Sequence, residues 1–202
     1  MSSIATVAAE VGDAATVLIL CPRMTVADDA EFRRHFVADK DDTNLLGISF
    51  SQPPSTWYDT WCDALDSEPA SAAVITTPEL AEDDIGERRL TVETVVNPSN
   101  LTGIGVKSTP YLSEWSDATV TVESIAVLLQ YADKQSVYRF LHVLTTRLRA
   151  AGGTGLFYFD PTGLEANTVE LLKTLFDAIL ECEPAADEDP EEFEWTVRVQ
   201  RS

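Results

Sequence analysis

The residues of this chain best suited to chemistry sit just after short apolar runs. Glu123 and Ser124 follow TVTV, Asp160 follows GLFYF, and Ser51 and Gln52 follow NLLGISF within the stretch SFSQPP, Ser49 to Pro54. A carboxylate in such a place can bind a cation, accept a proton or hold a backbone turn, and each use needs different company. Glu123 could reach a metal, but a metal site needs several oxygen ligands. Ser51 and Gln52 cannot act unaided as general bases at neutral pH. Asp160 precedes Pro161, which suits a turn as readily as a ligand at the carboxyl edge of a sheet.

The remaining reactive residues form no recognised constellation. Cys21, Cys62 and Cys182 are odd in number and widely spaced, with no CxxC and no nearby His pair; buried thiols are expected, without a disulfide framework or a zinc site. His35 and His142 lie far apart, with no Ser or Cys in a nucleophile elbow, and read as structural or solvated. No catalytic residue, metal site or cofactor is assigned. Trp57, Trp61 and Leu65 recur at helical spacing, the pattern of packing onto a sheet.

The elements that must position these residues follow from hydrophobic patterning. Thr16 to Cys21, Asn44 to Phe50, Ala72 to Thr76, Leu90 to Val96, Thr119 to Val122 and Gly155 to Phe159 are strand-like, and most are apolar on both faces, as parallel strands covered by helices are. Asp29 to Val37, Ser55 to Leu65 and Lys134 to Ala151 read as helices, with Asp28 and Ser55 as N-caps. This alternation predicts βαβ units and a mainly parallel α/β sheet flanked by helices on both faces.

Two segments are harder. Asn100 to Trp115 has helical apolar spacing, but Gly103, Gly105 and Pro110 interrupt it, so a broken or kinked helix is expected. Leu164 to Cys182 could be one long helix. The sequence FDAILECEP, an acidic loop over about 185–192 and FEWTVRVQR point instead to a helix ending near Leu175 and a C-terminal antiparallel strand pair.

The chain has 202 residues, read as an N-terminal extension over 1–14 and a single domain over 15–202. It carries 34 acidic and 14 basic side chains, net −20, over a composition that is 45% apolar. The acidity therefore decorates a foldable chain. With 10 Arg against 4 Lys, the composition is similar to that of cytosolic proteins of extreme halophiles. At molar salt the Debye length falls to roughly 3 Å and self-repulsion is largely screened. The first ten residues lack a positive n-region and the longest apolar runs are far shorter than a membrane span, so a soluble cytoplasmic protein without a membrane partner is expected.

From about Ala15 to Arg201 the order of elements resembles the RecA/KaiC superfamily of ATPase domains, in particular short haloarchaeal KaiC-like proteins. In that superfamily the first strand leads into a phosphate loop, GxxxxGK[ST]. The corresponding loop here, CPRMTVADD, has no Gly and no Lys, and it places Asp28 and Asp29 where phosphate oxygens would sit. After the second strand the family typically carries the acidic pair of SFEESP, and this chain has Ser51 and Gln52. Glu123 and Ser124 stand where the family's magnesium-side strand ends in Asp-Ser-Leu. The resemblance implies an ATPase fold that has lost both phosphate cradle and proton acceptor. Glu123, Ser124 and Asp160 remain as residual nucleotide-site candidates.

What the resemblance then implies is regulation or scaffolding through contact with a catalytically competent KaiC-like relative or a signalling protein, with homo-oligomerisation open. The alternative is a sensor that binds ATP without hydrolysing it; a true enzyme would need a constellation not found here. For docking, Arg139, His142, Thr146 and Arg149 share the outer face of the helix from Lys134 to Ala151, opposite Val137, Phe140, Leu141, Leu144 and Leu148. That face is either solvated or a surface for an acidic protein or a second subunit. Nucleic acid is disfavoured, because the few Arg among 34 acids make no dense basic patch.

Overall fold

In the computed structural model, residues 4–22, 30–37, 43–184 and 193–200 are described. The chain runs α1 (Ile4–Val11), β1 (Thr16–Leu20), α2 (Ala30–His35), β2 (Asn44–Ile48), α3 (Pro54–Leu65), β3 (Ser71–Thr76), α4 (Pro78–Ala81) and β4 (Leu90–Thr94). It continues with α5 (Leu101–Glu114), β5 (Thr119–Val122), α6 (Ile125–Tyr131), α7 (Lys134–Ala151), β6 (Thr154–Phe159), α8 (Ala166–Lys173), β7 (Ala178–Pro184) and β8 (Phe193–Val199). One 8-stranded sheet has the order β4-β3-β2-β5-β6-β1-β7-β8. All pairings are parallel except β7 with β8.

The doubly apolar strands explain the two-sided sheet. Every residue of β1 is buried, and successive side chains point to opposite faces. Leu18 and Leu20 enter a core with Ile104, Leu112, Leu128, Phe140, Leu144 and Leu172 from α5 to α8. Val17 and Ile19 enter a second core with Val7, Val11, Phe32, Trp57 and Trp61 from α1 to α3. Trp57, Trp61 and Leu65 are thus core residues. The Trp57 ring covers Gly47 so closely that a Cβ there would lie 2.6 Å from it. The helix α1, within residues 1–14, packs on β8 and α2.

Helix ends show where local signals sufficed and where they did not. The limits of α7 match its apolar stripe, with Asp133 accepting from the Ser136 N–H at 3.0 Å and Gly152 closing it at φ 72°. Ser55, expected as an N-cap, instead lies inside α3, which starts at Pro54 with Pro53 as its cap residue. Proline suits the first helical position because it has no N–H to satisfy. The Ser55 N–H donates to Asp83 Oδ2 at 3.0 Å, so a carboxylate 28 residues away does the capping. The Asp28 cap and the acidic loop over 185–192 lie outside the described residues.

Over Asn100 to Trp115, where a broken or kinked helix is expected, α5 runs without a break through Gly103, Gly105 and Pro110. Pro110 is exposed, as is Val106, whose carbonyl loses its i+4 donor there, so water can solvate that group. Ser108 and Thr109 donate their hydroxyls to Ile104 and Gly105 carbonyls one turn back. Asn100 caps the helix start by accepting from the Gly103 N–H at 2.9 Å. Among the described residues, no helix is long and apolar enough to cross a membrane.

Candidate functional site

The connection after β2 leads through α3 to β3, whereas that after β5 leads through α6 and α7 to β6, in the opposite direction across the sheet. Neighbouring connections diverging in this way open a crevice at the carboxyl ends of the strands, the usual ligand position of an open α/β sheet. Here that point lies between β2 and β5. Backbone bonds carry both strands one residue further: Glu123 N–H donates to the Ile48 carbonyl at 3.1 Å, and Ser49 N–H to the Ile75 carbonyl at 3.1 Å. The side chains of Ser49 and Glu123 therefore meet at the crevice.

Among the described residues, two neutral side chains donate to the Glu123 carboxylate. Ser49 Oγ donates to Glu123 Oε2 at 2.8 Å and Gln52 Nε2 donates to the same oxygen at 2.7 Å. Ser124 is committed to the backbone, since its Oγ caps α6 by accepting from Val127 N–H at 3.2 Å. Beyond them opens a cleft of about 330 Å³, walled by Ser51, Gln52, Glu123, Ser124, Arg33 and Tyr158. Arg33, from α2, is only 4% exposed, and its guanidinium lies 5.5 Å from the centre of the Trp61 ring. A buried cation over an aromatic face gains from the ring quadrupole.

The structure brings some predicted residues together and separates others. Glu123, Ser124, Ser51 and Gln52 share the cleft, whereas Asp160 is not in its wall; Asp160 Oδ1 accepts from Thr162 N–H at 2.8 Å, an Asx turn. Ser49, Arg33 and Tyr158 were not singled out from sequence. Ser49 lay within SFSQPP, but nothing local aligned it with a residue 74 positions later. Arg33 is one of two adjacent arginines on a short helix, and only tertiary packing distinguishes it from Arg34, which pairs with Asp66 at 2.9 Å. The loop likened to a phosphate loop lies, over 23–29, outside the described residues. Among the described residues, no group of three or more His, Cys, Asp or Glu side chains is placed to hold a metal ion.

Cys21 and Cys182 are buried and neighbours, following register-paired residues of β1 and β7. Their mutual hydrogen bond and burial push the Cys182 thiol well above its ordinary range. Burial also raises Cys62, so both titrate as protonated thiols near neutrality and are poor nucleophiles. Cys62, however, is only half-buried, in contrast to the expectation for all three.

The residues of the outer face of α7 differ in their bonding. Arg139 and His142 are exposed, with the His142 ring stacked 6.4 Å from Tyr138. Arg149 is not a free docking cation. Its Nε donates to both Asp177 carboxylate oxygens at 2.9 and 3.1 Å, and its Nη2 donates to Thr16 Oγ1 at 3.1 Å and the Leu175 carbonyl at 2.8 Å. Asp177 also accepts from Thr16 N–H and Oγ at 3.0 and 2.8 Å. The cluster ties the end of α7 to the starts of β1 and β7, a long-range contact that a helical wheel does not contain.

No curated protein matches this chain. A family model covers residues 14–182, well over half of the 202 residues, and its description is simply a family of unknown function. The chain therefore belongs to that family, DUF7504.

Proposed function

We propose that this protein is a non-catalytic, degenerate RecA/KaiC-like domain that regulates or scaffolds through protein contacts. The observation that carries the reading is the pairing of Gln52 with Glu123 at the sheet's switch point. By the family resemblance, position 52 belongs to an acidic pair that activates water. A glutamate there would place a second carboxylate beside Glu123, and two close carboxylates attract a cation or share a proton. Glutamine instead donates its amide N–H to Glu123, and Ser49 adds a second donor. The pair is then a satisfied structural bond, with Glu123 engaged rather than poised to take a proton. The halophile-like composition supports a cytoplasmic setting at high salt, and the family resemblance supports a catalytically competent KaiC-like relative or a signalling protein as the partner.

A second reading has its own observation in favour. The cleft lies at the ligand position of the fold and has the buried Arg33 in its wall, which suits an anionic group of a nucleotide bound without turnover. Phosphate release from ATP and GTP, with magnesium in molar KCl, tests the first reading, and calorimetric titration with ATP separates the two. No release above background and no binding heat are expected. Turnover that follows the protein through purification and drops in Glu123→Gln overturns the non-catalytic reading. Binding without turnover favours the sensor.

A further inference from the structure

A groove runs along the surface between α5 and α7, with a volume of about 520 Å³. Its α7 wall extends from Ser136 to Arg147, three helical turns or about 16 Å at the helical rise. Two aliphatic side chains line it in the open: Val106 is 65% exposed and Val143 49%. Two cations line it as well, Arg139 and Arg147, and no acidic residue contributes to its wall. On a chain of net charge −20, that is a local reversal of the surface.

Arg139 and Arg147, like Arg89, make no ion pair with a carboxylate among the described residues. Arg34, Arg88, Arg149 and Arg198 each pair with a carboxylate. Among the described residues, Arg139 donates to Ser136 Oγ at 3.2 Å and Arg147 to Thr109 Oγ1 at 2.7 Å. Asp133 spends a carboxylate oxygen on capping α7, and the Arg139 charge, the smallest of several causes, helps to hold that carboxyl below its ordinary range. Both guanidiniums spend one donor on a neutral hydroxyl and keep others available toward the groove. Gly105 adds an independent observation. It stands in a helix interior, where glycine is unfavourable relative to alanine, yet a Cβ there would meet nothing within 4 Å. Among the described residues no packing requires the glycine, and it lines the groove.

We infer that the α5–α7 groove docks an acidic amphipathic helix of a partner protein. An aliphatic side chain of that helix inserts between Val106 and Val143 over the open Gly105 position, and its flanking carboxylates meet Arg139 and Arg147. The groove's length and two-helix walls fit the helix-in-groove mode, in which apolar anchors give affinity and flanking charges give orientation. This rests on the reading of the protein as a contact-making domain and supplies its surface. It also moves that surface from the Arg149 face of α7 to the side facing α5.

The test uses the full chain and a defined probe: a fluorescent peptide of about sixteen residues, with leucines at i, i+3, i+4 and i+7 spacing and glutamates elsewhere. Controls are a scrambled peptide of the same composition, a lysine-for-glutamate version and a single-stranded oligonucleotide. Binding is read by anisotropy, with amide NMR shifts for location, at the lowest KCl at which circular dichroism shows the fold intact. Saturable binding of the acidic amphipathic peptide is expected, with shifts confined to α5 and α7. Arg139→Glu with Arg147→Glu should weaken it roughly tenfold or more, and Gly105→Trp, which fills the groove without changing charge, should do the same. Absence of saturation below about 1 mM, equal binding of the scrambled peptide, unchanged affinity in either folded variant, or preference for the oligonucleotide overturns the inference. So does concentration-dependent self-association abolished by Gly105→Trp, which would assign the groove to a second copy of the chain. Failure here leaves the non-catalytic reading intact, since the nucleotide assays decide that reading without involving the groove.

Discussion

Replacing Asp177 by Asn tests the most connected polar cluster of the fold with a nearly isosteric change. The carboxylate accepts two bonds from Thr16 and a bond from Arg149 Nε shared between its two oxygens, with Arg149 Nη2 at ion-pair distance. An asparagine keeps one acceptor oxygen, but its amide nitrogen must face N–H donors on one side, so the ion pair and about two bonds are lost together. Bonds to charged groups are worth about 1.5 to 3 kcal/mol each. Because the Asp177 side chain is 18% exposed and that of Arg149 38%, solvent screening discounts the pair, and we take about 2 kcal/mol in total. For a chain of this size that lowers Tm by about 4 to 8 °C. The pH dependence gives a second readout. Burial raises the Asp177 carboxyl pKa, but the Arg149 and Thr16 bonds outweigh it and hold the group below its ordinary value. The unfolded chain thus takes up the proton first as pH falls, and the stabilisation, complete above about pH 4, is lost as pH drops through the folded-state pKa. Thermal unfolding followed by circular dichroism in molar KCl should show wild type and Asp177→Asn far apart at pH 7 and converging below about pH 4. A Tm within about a degree of wild type at pH 7, or a gap that persists unchanged into acid, refutes the argument.

Gly47→Ala should destabilise by about 1 to 3 kcal/mol, because its Cβ would lie 2.6 Å from the fully buried Trp57 ring; an unaltered Tm and unaltered near-ultraviolet dichroism would show that the ring moves freely. Gly105→Ala should do the reverse and stabilise by about 0.5 to 1 kcal/mol, since its Cβ meets nothing, and a lowered Tm would contradict that geometry. Dilution of KCl from molar to tens of millimolar should lower Tm through self-repulsion of the −20 charge; equal melting at both concentrations would mean that the acidity has another purpose.

What the sequence determined by itself was local. Runs such as TVLIL and TGLFYF are apolar at consecutive positions and announce strands covered on both faces. The 3.6-residue stripe of α7 fixed its limits and its buried side, because helix bonds and side-chain neighbours lie within one turn of each residue. The closing strand pair was legible for the same reason, from the alternation of Trp195, Val197 and Val199 with polar residues. Tertiary structure decided everything that depends on which strand lies beside which. Nothing in SFSQPP or TVES states that β2 and β5 are neighbours, so Glu123 reads from sequence as a lone acid and proves to be bonded to Ser49 and Gln52. Cys21 and Cys182, 161 positions apart, meet because β7 pairs with β1. Arg149 looks solvent-facing on a helical wheel, and the Asp177 that claims it is set beside it only by the sheet. The continuity of α5 was likewise invisible, because glycine and proline signal a break, whereas here the one carbonyl that Pro110 frees, that of Val106, lies on the exposed side of the helix. Short-range periodicity specifies elements; burial summed across the whole sheet specifies their neighbours, and the site is made of neighbours.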